Sequence, residues 1–120
     1  MKTSNVKPGE IYWARKIPTV NRYGEVCYKN RPVVVITNKC GLKRSGIVSV
    51  IPLSSHIEKL SKTHCNVLVG NLLPRPSATM TEQISTISQE QLLGEPIERL
   101  TDDIFGLVKD ALSRQLGLCS

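Results

Sequence analysis

Apolar residues along this chain fall into short runs separated by clusters of turn residues, a spacing that predicts strands rather than long helices. Gly9-Glu10-Ile11-Tyr12-Trp13-Ala14, opened by Pro8-Gly9, reads as a first strand rich in aromatic and β-branched residues. The following stretch 15–25 carries Pro18, an Asn21-x-x-Gly24 pattern and the cations Arg15, Lys16 and Arg22, and is expected to be an exposed loop. Arg31-Pro32-Val33-Val34-Val35-Ile36-Thr37 is a continuous apolar run with proline at its mouth, where a strand tolerates it, and reads as a buried strand. A second such run, Ser45 to Leu53, is expected to pair with it antiparallel. Residues 63–69, 78–81 and 84–87 add shorter strand-like pieces, with a loop over 70–76. Five or six short strands joined by turns predict a small barrel.

Two segments break the pattern. Ser88-Gln89-Glu90-Gln91-Leu92-Leu93 has the S-x-x-Q spacing of a capping box and ends at Gly94, which predicts a short connecting helix. Thr101 reads as the N-cap of a second helix, with Asp102 and Asp103 in its first turn, where carboxylates favour the positive end of the helix dipole. Ile104, Leu107, Val108, Ala111, Leu112 and Leu116 recur three or four apart, an amphipathic face to lay on the barrel.

The length of 120 residues suits one domain, expected to span 1–120. The first residues lack the apolar run of a signal peptide, and no stretch approaches the roughly 18–20 apolar residues of a spanning helix, so a soluble, cytoplasmic protein with no membrane contact is expected. Cys27, Cys40, Cys65 and Cys119 contain no C-x-x-C pair and stand beside only two histidines, which argues against a zinc site and for four free thiols.

Net charge is +6 and unevenly distributed. Residues 1–60 hold eleven Lys/Arg against three acids, and residues 61–120 five against seven. A basic half suits a polyanionic partner through counterion release and steering, although an ordinary solvated surface has the same composition.

Three segments in order give a more specific pointer. Gly9-Glu10-Ile11-Tyr12-Trp13, Lys29-Asn30-Arg31-Pro32-Val33-Val34-Val35-Ile36 and Val50-Ile51-Pro52-Leu53-Ser54-Ser55 resemble the opening strands of the MazF/PemK (Kid) toxins. Thr81-Glu82-Gln83-Ile84-Ser85-Thr86-Ile87 resembles that family's D/E-Q-x-R-T-I-D segment, and Leu100-Thr101-Asp102-Asp103 leading into a helix also fits. The resemblance covers roughly residues 8–116 and rests on the ordered set rather than on any one motif. It implies a mainly β, SH3-like barrel of the CcdB/PemK type with a C-terminal helix, a homodimer, and the toxin of a type II toxin–antitoxin system. It further implies sequence-selective, metal-independent cleavage of single-stranded mRNA with no cofactor, by attack of the ribose 2′-OH to leave a 2′,3′-cyclic phosphate. A cognate antitoxin is the implied protein partner, and operator DNA is met only through the antitoxin complex.

In-line attack of a 2′-OH needs charge stabilisation on the phosphorane oxygens and proton transfer at both ends. Arg31 matches the family's catalytic arginine: its planar fork of donors fits two phosphate oxygens and keeps its charge. Ser54 falls where the family has a Thr or Ser on the scissile phosphate, with Ser55 as an equivalent neighbour. No Ser-His-Asp or Ser-Lys arrangement makes Ser54 a covalent nucleophile. Glu82 aligns with the family's acid and is either a general base, if burial raises its pKa, or the structural partner of a cation. His56 is not explained by the resemblance; it is either a proton shuttle beside Ser54 or an exposed loop residue. His64 is read as structural. The Kid-like branch uses an arginine two residues before the acid, and here that position is Met80, while Ser85 stands where another arginine is frequent.

Arg15, Lys16 and Arg22 with Tyr23 supply cations and an aromatic ring of the kind that grips a single strand, and Gln83 and Thr86 complete the candidate RNA contacts. Tyr12 and Trp13 are expected to pack in the barrel and an interface. Two other readings stay open: a catalytically silent RNA-binding relative, and a gyrase poison of the CcdB type, whose C-terminal Trp-Gly-Ile has no counterpart in Leu116-Gly117-Leu118-Cys119-Ser120.

Overall fold

The computed structural model describes residues 6–37, 46–55, 66–70 and 76–118. Among the described residues seven strands and one helix follow in order: β1 (Glu10–Val20), β2 (Val26–Val35), β3 (Ile47–Ser54), β4 (Leu68–Gly70), β5 (Ser77–Thr79), β6 (Ser85–Ser88), β7 (Leu92–Arg99) and α1 (Asp102–Gln115). Single 3-10 turns, Thr81–Gln83 and Gln89–Gln91, stand before and after β6. All pairings are antiparallel, in the order β4-β5-β3-β2-β1-β7, with β6 also paired to β3. The expected mainly β domain with a C-terminal helix is what the chain forms.

β3 is the branch point. Its first half pairs with β6, its middle with β2 and its end with β5. Val33, Val34 and Val35 are fully buried because both faces of the sheet are covered, which is why this strand reads as an unbroken apolar run instead of alternating. Val33 and Val35 join Tyr12, Ala14, Ile17 and Val50 on one face. Val34 joins Ile11, Ile51 and Leu53 on the other, beneath Val108 and Ala111 of α1.

Among the described residues no ladder joins β1 to β6, so the barrel is not closed by backbone pairing. Two glutamine side chains bridge that seam instead. Gln83 Nε2 donates to the Val20 carbonyl and Gln83 Oε1 accepts from the Val20 N–H, both at 2.9 Å. At the other end of β6, Gln91 Nε2 donates to the Arg15 carbonyl at 2.9 Å.

Three expectations are corrected. The loop expected over 15–25 is strand as far as Val20, and only Asn21–Glu25 turns, with Asn21 Oδ1 accepting from the N–H groups of Tyr23 and Glu25. The alternation that would have signalled a strand is interrupted: Arg15 and Lys16 are both exposed, and the register shifts between Ala14 and Ile17. This bulge returns Ile17 to the side of the sheet that holds Ala14.

The capping box at Ser88 is present, with the Ser88 side chain accepting from the Glu90 N–H and Gln91 Oε1 from the Ser88 N–H. It closes only one 3-10 turn, because Leu92 and Leu93 pair with Ala14 and Trp13 as the start of β7, a strand the sequence pattern did not reveal. In α1, Thr101 caps Ile104, but Leu107 and Leu116 are exposed at the flanks of the expected apolar face.

Gly9 ties the two ends of the domain together. Its N–H donates to the Val35 carbonyl at 2.8 Å, its carbonyl accepts from Leu100 at 2.9 Å, and its φ of 86° suits glycine. A Cβ at that position would meet the Phe105 ring at 3.4 Å.

Candidate functional site

Arg31 lies on β2 directly opposite Ala14 of β1. The β2–β3 register runs Val33 to Pro52, Val34 to Ile51 and Val35 to Val50. That ladder stops two residues short of Arg31 on β2 and of Ser54 on β3, and Ser54 pairs instead with Ala78 of β5. Residues directly opposite in an antiparallel sheet share a face. Arg31 therefore shares a face with Ala14, and Ser54 with Ala78.

The guanidinium is partly sequestered. Arg31 Nε is shut away from solvent and has no hydrogen-bond partner among the described residues. A buried donor on a charged group is costly to leave unpaired, and an anion at this point would satisfy it. Ser54 is buried, and Ser55 stands exposed immediately after the strand.

The turn that carries Glu82 is held against the end of β3, since the Met80 N–H donates to the Pro52 carbonyl at 2.8 Å. Met80 is buried, so the position where the Kid-like branch has an arginine presents a thioether to the interior. Thr79 and Thr81 are fully buried and joined through their hydroxyls at 2.9 Å, and Thr79 Oγ1 also accepts from the Val67 N–H. Glu82 is half-buried, and its Oε1 accepts from the Asn66 side-chain amide at 3.3 Å. The same Asn66 nitrogen donates to the Thr79 carbonyl at 2.8 Å. Asn66 escaped sequence reasoning because its only signal is a polar residue ahead of a short strand.

Gln83, read from the sequence as an RNA contact, has both polar atoms committed to Val20. This tethers the end of β1, and with it the hairpin tip, to the turn that carries Glu82. At that tip Arg22 Nη2 donates to the Tyr23 hydroxyl at 3.1 Å, and the Arg22 guanidinium lies 5.1 Å from the Tyr23 ring centre. Thr86 is not brought to this group: it is exposed on β6 opposite Ser49, five residues before Ser54 and so about 16 Å away along β3. His56 and His64 lie outside the described residues.

Arg15 and Lys16 occupy the bulge of β1, exposed and one residue beyond Arg31's partner Ala14. Of the two aromatics expected to pack in the barrel and an interface, Tyr12 is buried in the barrel and Trp13 is 48% exposed on this single chain, between Pro32 and Leu93. The Tyr12 phenol donates to Glu10 Oε1 at 3.3 Å. Burial, and then the neighbouring carboxylates of Glu10 and Glu95 together with that hydrogen bond, push its pKa up to about 12.

Among the described residues no three His, Cys, Asp or Glu side chains gather at one point. Cys27 is a free, half-buried thiol, and the other three cysteines lie outside the described residues. No helix among the described residues is long and apolar enough to cross a membrane.

Over residues 7–116 the chain matches the family described as PemK-like, MazF-like toxins of type II toxin–antitoxin systems. Solved structures share the fold. An endoribonuclease in complex with its cognate antitoxin, from a mycobacterial species, superposes with a TM-score of 0.74 at 17% identity, over 96% of this chain and 98% of that one. The Mycobacterium tuberculosis toxin MazF-mt6 gives 0.73 at 20% identity, over 92% and 99%. MazF from Deinococcus radiodurans gives 0.73 at 15% identity, over 93% and 96%.

Proposed function

This chain belongs to the PemK-like, MazF-like toxins of type II toxin–antitoxin systems, and from that membership we propose that it is an endoribonuclease cutting single-stranded mRNA at selected sequences, without metal or cofactor. The ribose 2′-oxygen attacks the adjacent phosphorus, the O2′–P bond forms and the P–O5′ bond breaks. One product ends in a 2′,3′-cyclic phosphate and the other in a free 5′-hydroxyl. Arg31 places its charged fork on the phosphorane oxygens, where negative charge grows in the transition state. Ser54 donates to the same phosphate or orients the 2′-OH. Glu82 and His56 are the two groups assigned to the proton transfers at O2′ and O5′.

The observation that carries the reading is the buried Nε of Arg31, which has no hydrogen-bond partner among the described residues. A solvated surface arginine has no reason to leave that donor unpaired, whereas an anion-binding one does. Arg15, Lys16, Arg22, Tyr23 and Ser55 extend the contact to the rest of the strand, with Gln83 and Thr86 as further candidates. The toxin acts as a cytoplasmic homodimer, is neutralised by a cognate antitoxin, and meets operator DNA only through that complex. A solved relative bound to its cognate antitoxin supports the antitoxin assignment.

Incubating the purified protein with a long RNA in EDTA tests the proposal. Discrete fragments with cyclic phosphate ends are expected. Intact RNA with a gel shift would instead indicate a silent RNA-binding relative, the reading that buried Met80 in place of an arginine favours.

A further inference from the structure

The turn Thr81–Gln83 is anchored on both sides of its central side chain. The Met80 N–H donates to the Pro52 carbonyl and the Gln83 N–H to the Met80 carbonyl. The Thr81 hydroxyl is paired with that of Thr79, and the Gln83 amide with Val20. These contacts fix the backbone that carries Glu82 and leave the direction of its carboxylate to be set separately.

Asn66, just ahead of β4, sets that direction. Its Nδ2 donates to the Thr79 carbonyl at 2.8 Å and to Glu82 Oε1 at 3.3 Å. A carbonyl oxygen only accepts, so it is the nitrogen of the amide, and not its oxygen, that faces both groups. The shorter bond ties the amide to β5. There Thr79 is held in turn by Val67, whose carbonyl accepts from the Thr79 N–H and whose N–H donates to Thr79 Oγ1, both at 2.9 Å. The second amide hydrogen is thus presented to Glu82 from a fixed point.

Such a donor distinguishes the two carboxyl oxygens. In a carboxylic acid the carbonyl oxygen is the better acceptor and the hydroxyl oxygen carries the proton, and Nδ2 can only donate. A proton on Glu82 is therefore steered to Oε2, with Oε1 kept as the carbonyl oxygen.

We propose that Asn66 is a positioning residue for RNA cleavage: it holds Oε1 so that Oε2 is the atom through which Glu82 exchanges its proton with the substrate. In transfer at O2′, the O2′–H bond breaks and the proton bonds to Oε2 as O2′ attacks phosphorus. In transfer at O5′, the Oε2 proton passes to the leaving oxygen as the P–O5′ bond breaks. The inference rests on the nuclease reading and its use of Glu82, and adds how the acid is oriented.

A double-mutant cycle in single-turnover cleavage of a long RNA by excess protein tests this role. Asn66→Ala is expected to lower the saturated rate on the order of tenfold, the worth of one hydrogen bond to a charged group, and to leave the half-saturating protein concentration unchanged. In a Glu82→Gln background the same substitution is expected to cost nothing further, since no acid is left to orient. A contact that only supports the fold acts in both backgrounds alike. Equal losses in the two, or no loss in either, overturn the positioning role.

The Asn66 side-chain amide gives a second measurement that leaves Asn66 in place and so stands if Asn66→Ala fails to fold. In nitrogen–proton correlation spectra of Glu82→Ala, one δ2 proton is expected to move to higher field as its acceptor is lost, while the one on the Thr79 carbonyl stays. Two unmoved protons overturn the inference. Cleavage by Glu82→Gln at the wild-type rate refutes instead the role of Glu82 on which the inference rests, and RNA left intact by the wild type refutes the nuclease reading itself.

Discussion

Gln83 makes a two-point hydrogen-bonded pair with the backbone of Val20, its amide oxygen taking the N–H and its amide nitrogen giving to the carbonyl, each at 2.9 Å. A primary amide has the same donor and acceptor as a peptide group, so this side chain does at the seam what a neighbouring strand would do. Gln83→Leu is expected to cost about 1–2 kcal/mol, the net worth of two neutral hydrogen bonds, and to speed hydrogen exchange at the Val20 amide. Gln83→Glu keeps only the acceptor and should fall between the two. Unaltered exchange at Val20 would show that the seam is held by something else.

Arg31→Ala should reduce RNA cleavage by about 10²–10³-fold or more, as removal of a transition-state donor does, while the melting temperature stays at or above the wild-type value. The second half of this expectation follows from the unpaired buried Nε, whose loss relieves a desolvation cost. Arg31→Lys keeps the charge and loses the fork, and should recover little of the rate. A large drop in stability in the alanine variant would reassign Arg31 to the fold.

Glu82→Gln tests the acid without removing the oxygen that Asn66 holds. The variant should melt like the wild type and lose about 10²–10⁴-fold in cleavage rate. An unchanged rate would remove Glu82 from the proton transfers.

Tyr12 predicts an alkaline limit to stability. Its phenol titrates near 12 in the folded chain against 10 when unfolded, so between those values the unfolded state has lost the proton that the folded state keeps. Stability is therefore fully present below about pH 10 and falls as the pH rises through about 12. Tyrosinate absorbance should show one phenol with a midpoint near 12 that disappears in Tyr12→Phe, and the alkaline fall in stability should be shallower in that variant.

Lys16→Gly should stabilise the fold by up to about 1 kcal/mol, the left-handed strain released less the backbone entropy added, while weakening single-strand binding. Denaturant unfolding measures the first effect and a salt titration the second. A destabilised variant would mean that the lysine side chain itself supports the bulge.

The sequence alone determined what depends on residue type and local spacing. The unbroken apolar run at Val33–Val35 signalled a strand covered on both sides, Thr101 with Asp102 and Asp103 signalled the start of α1, and the ordered segments around Arg31, Ser54 and Glu82 pointed to the family. Tertiary structure decided what depends on partners distant in the chain. Whether Arg15 and Lys16 belong to a loop or to a bulged strand is settled by the register against β2 and the return of Ile17 to the core, since a bulge erases the alternation a strand would show. Whether the Ser88 capping box starts a helix or a single turn is settled by Leu92 pairing with Ala14 across more than seventy residues of chain. The pairing of Arg31 with Ala14 and of Ser54 with Ala78, the choice of Asn66 as partner to Glu82, and the commitment of Gln83 to Val20 all come from contacts between separate elements, which local spacing does not encode.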